Sequence, residues 1–202
     1  MENVVTVIFN VESEAYQAFS DLKHLISESC TITQMGIVKK QNGQIQLCEG
    51  YDTGIDTTDD TQKGGLIGSL VGILCGPLGV LLGGSIGMMI GGVVDANDAQ
   101  KNVSLLEKVS SMLGEGDRAI VALVMEMDET FLETRLKPYD VTIIRHDAAV
   151  VALEVEDAQK LQKEMEKEAK EKFRRAKKEE KKSEIEEKRA KIRADFERLK
   201  KK

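Results

Sequence analysis

Residues 64–94 read GGLIGSLVGILCGPLGVLLGGSIGMMIGGVV, 31 residues without a charge. The glycines are ordered. Gly64, Gly68, Gly72 and Gly76 are four apart, and so are Gly79, Gly83, Gly87 and Gly91. Between the two series lies Gly76-Pro77-Leu78-Gly79, which marks a turn or sharp kink. In water each interior glycine costs a helix about 1 kcal/mol relative to alanine, so a lone helix of this composition would melt. In lipid the backbone must pair internally, and a glycine groove lets two helices approach closely. The spacing predicts a glycine-zipper helical hairpin with these eight glycines at its helix contacts.

Length chooses among geometries. One straight helix over the segment would reach about 46 Å, against a hydrocarbon core of about 30 Å. Two arms of about 20–24 Å each are short for crossing. A re-entrant hairpin fits best and leaves both flanks on one side of a bilayer. The alternative is a hairpin buried between subunits of a soluble homo-oligomeric scaffold or filament. The flanks carry Asp52, Asp56, Asp59, Asp60, Asp95 and Asp98 against Lys63 and Lys101. Cytoplasmic flanks favour Lys and Arg, so this acidic collar opposes simple anchoring. It reads as solvated loop rather than as a cation site.

Outward from the glycines the chain is α+β. Residues 4–9, VVTVIF, read as a β-branched strand. Ala15, Phe19, Leu22, Leu25 and Ile26 then recur on one helical face, with Ser13 as candidate N-cap. Residues 31–39 and 44–49 read as strands joined at Asn42-Gly43, a pair suited to a tight hairpin. Beyond the glycines, residues 98–113 read as an amphipathic helix and 118–126 as a strand. A short helix follows from Asp128 to near Pro138. Residues 140–145 and 148–155 read as two strands turning at His146-Asp147.

The expected fold is therefore α+β. Two βαββ units form a ferredoxin-like two-layer sandwich with helices on one face. The glycine hairpin is inserted, and a long charged helix follows. Residues 1–63 hold the first unit and its acidic loop, 64–94 the hairpin, 95–156 the helix and second unit, and 157–202 the tail.

Charge is segregated. Residues 157–202 hold 19 Lys and Arg against 12 Asp and Glu, a surplus of +7, whereas the first 156 residues stand at −13. An acidic body argues against coating nucleic acid, while the tail can touch anionic surfaces. Pairs such as Glu166/Lys170, Glu168/Lys172 and Glu171/Arg175 place Glu four residues before a base, supporting a solvated helix.

Candidate chemistry is sparse. Cys30, Cys48 and Cys75 form no CxxC pair and read as thiols of a reducing compartment. His24 and His146 lack a local metal or triad pattern and read as structural. No nucleotide loop, nucleophile elbow or metalloprotease motif with supporting context is present. The expectation is a non-enzymatic protein without cofactor or metal.

The motif GGLIGSLVGILCGPLGVLLGGSIGMMIGG between βαββ-like halves resembles an uncharacterised bacterial family of predicted membrane proteins, some known as general-stress proteins. The resemblance covers roughly residues 1–156 and brings no activity or catalytic residue. It implies membrane association. With the zipper, the expectation is a protein that inserts and homo-oligomerises through its hairpin, its partners being itself and the bilayer. Its α+β body then lies on the cytoplasmic side. A small-ligand-binding α+β domain is the weaker alternative.

Overall fold

The computed structural model describes residues 1–54 apart from 26 and 28, then 65–83 and 104–199, with side chains as far as 193. It divides into two units, Met1–Gln159 and Lys160–Lys202.

In the first unit, strands β1 (Glu2–Phe9), β2 (Cys30–Gln41), β3 (Gln44–Asp52), β4 (Arg118–Glu126) and β5 (Val141–Asp147) form one sheet in the order β3-β2-β4-β1-β5. All four pairings are antiparallel. Helix α1 (Glu12–Lys23) links β1 to β2, and α5 (Glu129–Leu136) links β4 to β5. The β2–β3 turn is built as its residues require: Asn42 and Gly43 have φ of 55° and 72°. Glu115 grips that turn, its carboxylate accepting from the backbone N–H of Asn42 and, at 3.1 Å, of Gly43.

Successive strand residues point to opposite faces. Val5, Val7, Phe9, Ile37, Ile120, Ala122 and Val124 join one core with Ala15, Phe19 and Leu22 of α1 and Leu132 and Leu136 of α5. Residues between them are buried too, including Val4, Thr6, Val38, Ala119 and Val121. Their cover includes α2 (Gly65–Leu74), which packs on β2 and β4 with Ile67, Leu70, Val71, Ile73 and Leu74 buried. A Cβ placed on Gly36 would lie 3.9 Å from Val71 Cγ2, which puts α2 on the face opposite Ile37. The expected two-layer sandwich is thus corrected to helices on both faces. The reason lies in β1, whose run VVTVIF is apolar on both sides and needs two covers.

The glycine segment breaks at Cys75-Gly76, and α3 (Pro77–Gly83) follows. Pro77 opens that helix, where its missing N–H costs nothing. The expected four-residue turn is corrected accordingly: Pro77, Leu78 and Gly79 belong to α3. Gly64, Gly87 and Gly91 lie outside the described residues, as do Asp56, Asp59, Asp60, Asp95, Asp98, Lys63 and Lys101. Of the expected helix over 98–113, the described part is α4 (Leu105–Met112), capped by Ser104.

Helix α6 runs from Ala148 to Leu199. The expected strand over 148–155, its turn at His146-Asp147 and the tail starting at 157 are all corrected by it. Asp147 ends β5 and caps α6, its carboxylate accepting from the N–H of Ala149 at 2.9 Å and Val150 at 3.2 Å. Val151 and Val155, one helical turn apart, are fully buried. Ser13 is also corrected as a cap: α1 starts at Glu12 behind Val11, which makes no side-chain capping bond.

Glu154 of α6 reaches the start of α4, accepting from the Ser104 hydroxyl and from the N–H groups of Leu105 (3.0 Å) and Leu106 (2.9 Å). One carboxylate thereby satisfies donors that helix geometry leaves open, with favourable sign toward the helix dipole. Glu154→Ala is expected to lower stability by about 1–2 kcal/mol, measured by chemical denaturation. A change of a few tenths would mean that water replaces the carboxylate.

The second unit is the remaining length of α6, residues 160–199. Three of the expected pairs are formed there, Glu166–Lys170 and Glu168–Lys172 at 3.7 Å and Glu171–Arg175 at 3.9 Å.

Candidate functional site: the glycine-lined groove

The large residues of α2 face the core, and its small ones do not. Gly68 and Gly72 are exposed, and a Cβ on either would meet nothing within 4 Å. These two glycines border an apolar groove of about 420 Å³ between α2 and the β2–β3 hairpin. Ile67 and Val71 form the helix side, with Leu47, Gly50 and Tyr51 on the strand side and Cys75 at one end. Gly36 and Gly50 bring no side chain to fill it.

Two polar side chains shape this groove. Gln34, 6% exposed, accepts from the N–H of Ile67 at 3.1 Å and so fixes the first turn of α2 against β2. Gly65 makes that contact possible. Its φ of +64° suits glycine, and a Cβ there would lie 1.9 Å from Gln34 Nε2. Asp52 accepts from the N–H of Gly54 at 2.8 Å, which closes the end of β3. Neither Gln34 nor Gly65 was marked by zipper spacing. A glutamine set between the apolar residues Ile32 and Met35 of β2 is the sequence signal for the first.

The expected zipper contacts divide into distinct roles. Gly79 is buried in α3, and a Cβ there would stand 1.8 Å from the carbonyl oxygen of Leu74, so α3 meets the end of α2 at backbone distance. Gly68 and Gly72 instead face the groove. Gly76 lies in the break and Gly83 ends α3. Among the described residues no helix is long and apolar enough to cross a membrane.

A separate polar cluster lies at the other face. Glu126, 3% exposed, accepts from Asn3 Nδ2 and Arg145 Nε, both at 3.1 Å. Arg145 also donates to Glu133 at 3.0 Å and to the Glu129 carbonyl at 3.1 Å. Burial raises the pKa of the neighbouring Cys30 thiol, and the Glu126 charge adds to it. Such a thiol is a poor nucleophile at neutral pH. His24 is an exposed residue at the end of α1, and His146 lies on β5. Among the described residues no group of three or more His, Cys, Asp or Glu is arranged to hold a metal ion.

Residues 61–176 match a family model described as a protein of unknown function, DUF1269. The chain belongs to the DUF1269 family. The DUF1269 match takes in α2 to α5, β4 and β5, and runs well into α6. The expected family extent of 1–156 is therefore corrected at both ends: residues 1–60 lie outside the match, and part of the charged helix falls within it. No curated protein and no solved structure matches the chain.

Proposed function

We propose that this protein is a non-enzymatic association module that homo-oligomerises through its glycine segment at a membrane surface. The observation that carries the reading is the Gly68–Gly72 ridge. Two exposed glycines one turn apart, beside an apolar groove, allow a second helix to reach backbone contact distance. The uncharged run of 31 residues supports membrane association. With α2 about 15 Å long and its large residues packed on the sheet, attachment or partial insertion suits it better than crossing. The body then lies on the cytoplasmic side. Within it, the order β2-β4-β1-β5 with α1 and α5 as connections supports a ferredoxin-like core, to which β3 adds an edge.

Gly72→Leu tests the ridge. The side chain has open space in its own subunit, so the fold should survive while crosslinked assemblies shrink toward monomer. Unchanged stoichiometry in a folded variant would remove the ridge from assembly. Flotation with liposomes tests the membrane setting separately. Assembly that persists while all protein stays in the buffer fraction would favour the soluble scaffold.

The groove volume favours a second reading, a site for a small apolar ligand. Displacement of an environment-sensitive apolar dye, lost in Gly72→Leu while assembly persists, would select that reading.

A further inference from the structure

In the second unit, charge is sorted by helix face as well as by amount. An α-helix advances about 100° per residue, so steps of four and three return to one side. From Lys163 those steps reach Lys167, Lys170, Arg174, Lys177 and Lys181. Ile185, Lys188 and Ile192 continue the same line. Over residues 163–193 these nine positions fill an arc of about 80°, and none is acidic. Every one is exposed. Glu168, Glu179 and Glu186 lie on the opposite side of the helix, with Lys172 among them.

A helix solvated evenly by ion pairs has no need of this sorting. The pair Glu166–Lys170 flanks the stripe at 3.7 Å, with both side chains more than half exposed. Exposed pairs of this kind are weak, so the lysine stays available to a stronger partner.

We propose that this stripe is a docking face for an anionic bilayer surface, along which residues 163–192 lie lengthwise. Charge complementarity selects an anionic partner. The two isoleucines, 51% and 57% exposed and in line with the bases, favour lipid over a phosphate backbone, because a bilayer interface accepts apolar side chains. The proposal rests on the membrane association argued above, but on different residues from the glycine ridge.

The test uses the full-length protein and two variants of equal net charge. One replaces Lys167, Lys170, Arg174 and Lys181 with Gln. The other replaces Lys172, Arg175, Lys182 and Arg193 with Gln, all off the stripe. Glutamine keeps helix propensity, and circular dichroism checks that helix content is unchanged. Cosedimentation with phosphatidylglycerol-containing vesicles at low salt should show about tenfold or greater loss for the stripe variant, and less than about threefold for the other. Binding should fade as salt rises. Ile185→Ser with Ile192→Ser should weaken vesicle binding with no charge changed. Equal losses in the two charge variants would overturn the stripe. Stripe-dependent binding to single-stranded RNA without vesicle binding would overturn the lipid assignment. Gly72→Leu separates the two proposals: failed assembly with normal stripe-dependent binding supports both, intact assembly with normal stripe-dependent binding removes the ridge alone, and failed assembly with vesicle binding that ignores the stripe removes the docking face alone.

Discussion

Glu126→Ala is expected to destabilise the fold by about 3–5 kcal/mol, because it strands Arg145 and Asn3 without the carboxylate that accepts from both. That figure is the cost of removing one partner of a buried pair, not the net worth of the pair, and it is an upper figure because Arg145 keeps its ion pair with Glu133. The Glu126 side chain is 1% exposed and that of Arg145 15%, so water replaces little of the loss. Arg145 remains tied to Glu133 and to the Glu129 carbonyl, which hold its guanidinium over the vacated space. Glu126→Gln separates charge from hydrogen bonding. Its amide oxygen can still accept, so the cost should fall to about 1–3 kcal/mol. Urea denaturation of both variants measures the difference. A loss below about 1 kcal/mol for the alanine variant would show that Arg145 reaches water by a small shift.

The second large effect contrasts two glycines of the same spacing motif. Gly79→Ala should cost about 1–3 kcal/mol or more, as an overpacked site does. The added carbon would lie 1.8 Å from the Leu74 carbonyl oxygen and 2.5 Å from its carbon. These are backbone atoms, and they yield only if α3 moves away from α2. Gly72→Ala should act in the opposite direction, gaining about 0.5–1 kcal/mol, because nothing lies within 4 Å and alanine is the better helix former. Thermal or chemical denaturation gives both signs. Destabilisation by both alanines to the same degree would defeat the division of roles.

Much of the body was legible locally. β4 begins and ends where residues 118–126 predict, Asn42-Gly43 makes the hairpin, and Asp128 caps α5 through the N–H of Thr130. The failures are also physical. Residues 148–155 read AAVVALEV, and short apolar runs suit strand and helix alike. Asp147 before them and the four-residue spacing of Val151 and Val155 carried the helical signal. Burial of both sheet faces was latent in the β1 run VVTVIF, in which Thr6 alone is polar. The charge stripe was likewise present in the sequence, but as a period of three and four along one face rather than as pairs. Glu126 and Glu154 could not be read locally, because each acts on groups far away in the chain. Glycine spacing located a groove-bordering ridge at Gly68 and Gly72, yet it could not tell that ridge from the tight contact at Gly79.

The position of β1 has a consequence for synthesis. It pairs with β4 on one side and β5 on the other, so both partners begin more than a hundred residues later. At about 5–20 residues per second, the ribosome leaves that strand without either neighbour for roughly 5–20 s. During this interval the whole uncharged glycine run emerges, before β4 exists to help form the surface that buries α2. The nascent chain therefore carries its most apolar stretch ahead of its cover. Loop closure over such a span is slow compared with local helix formation. The order of synthesis thus gives a membrane or a holding chaperone first access to the glycine segment, and the finished sheet second.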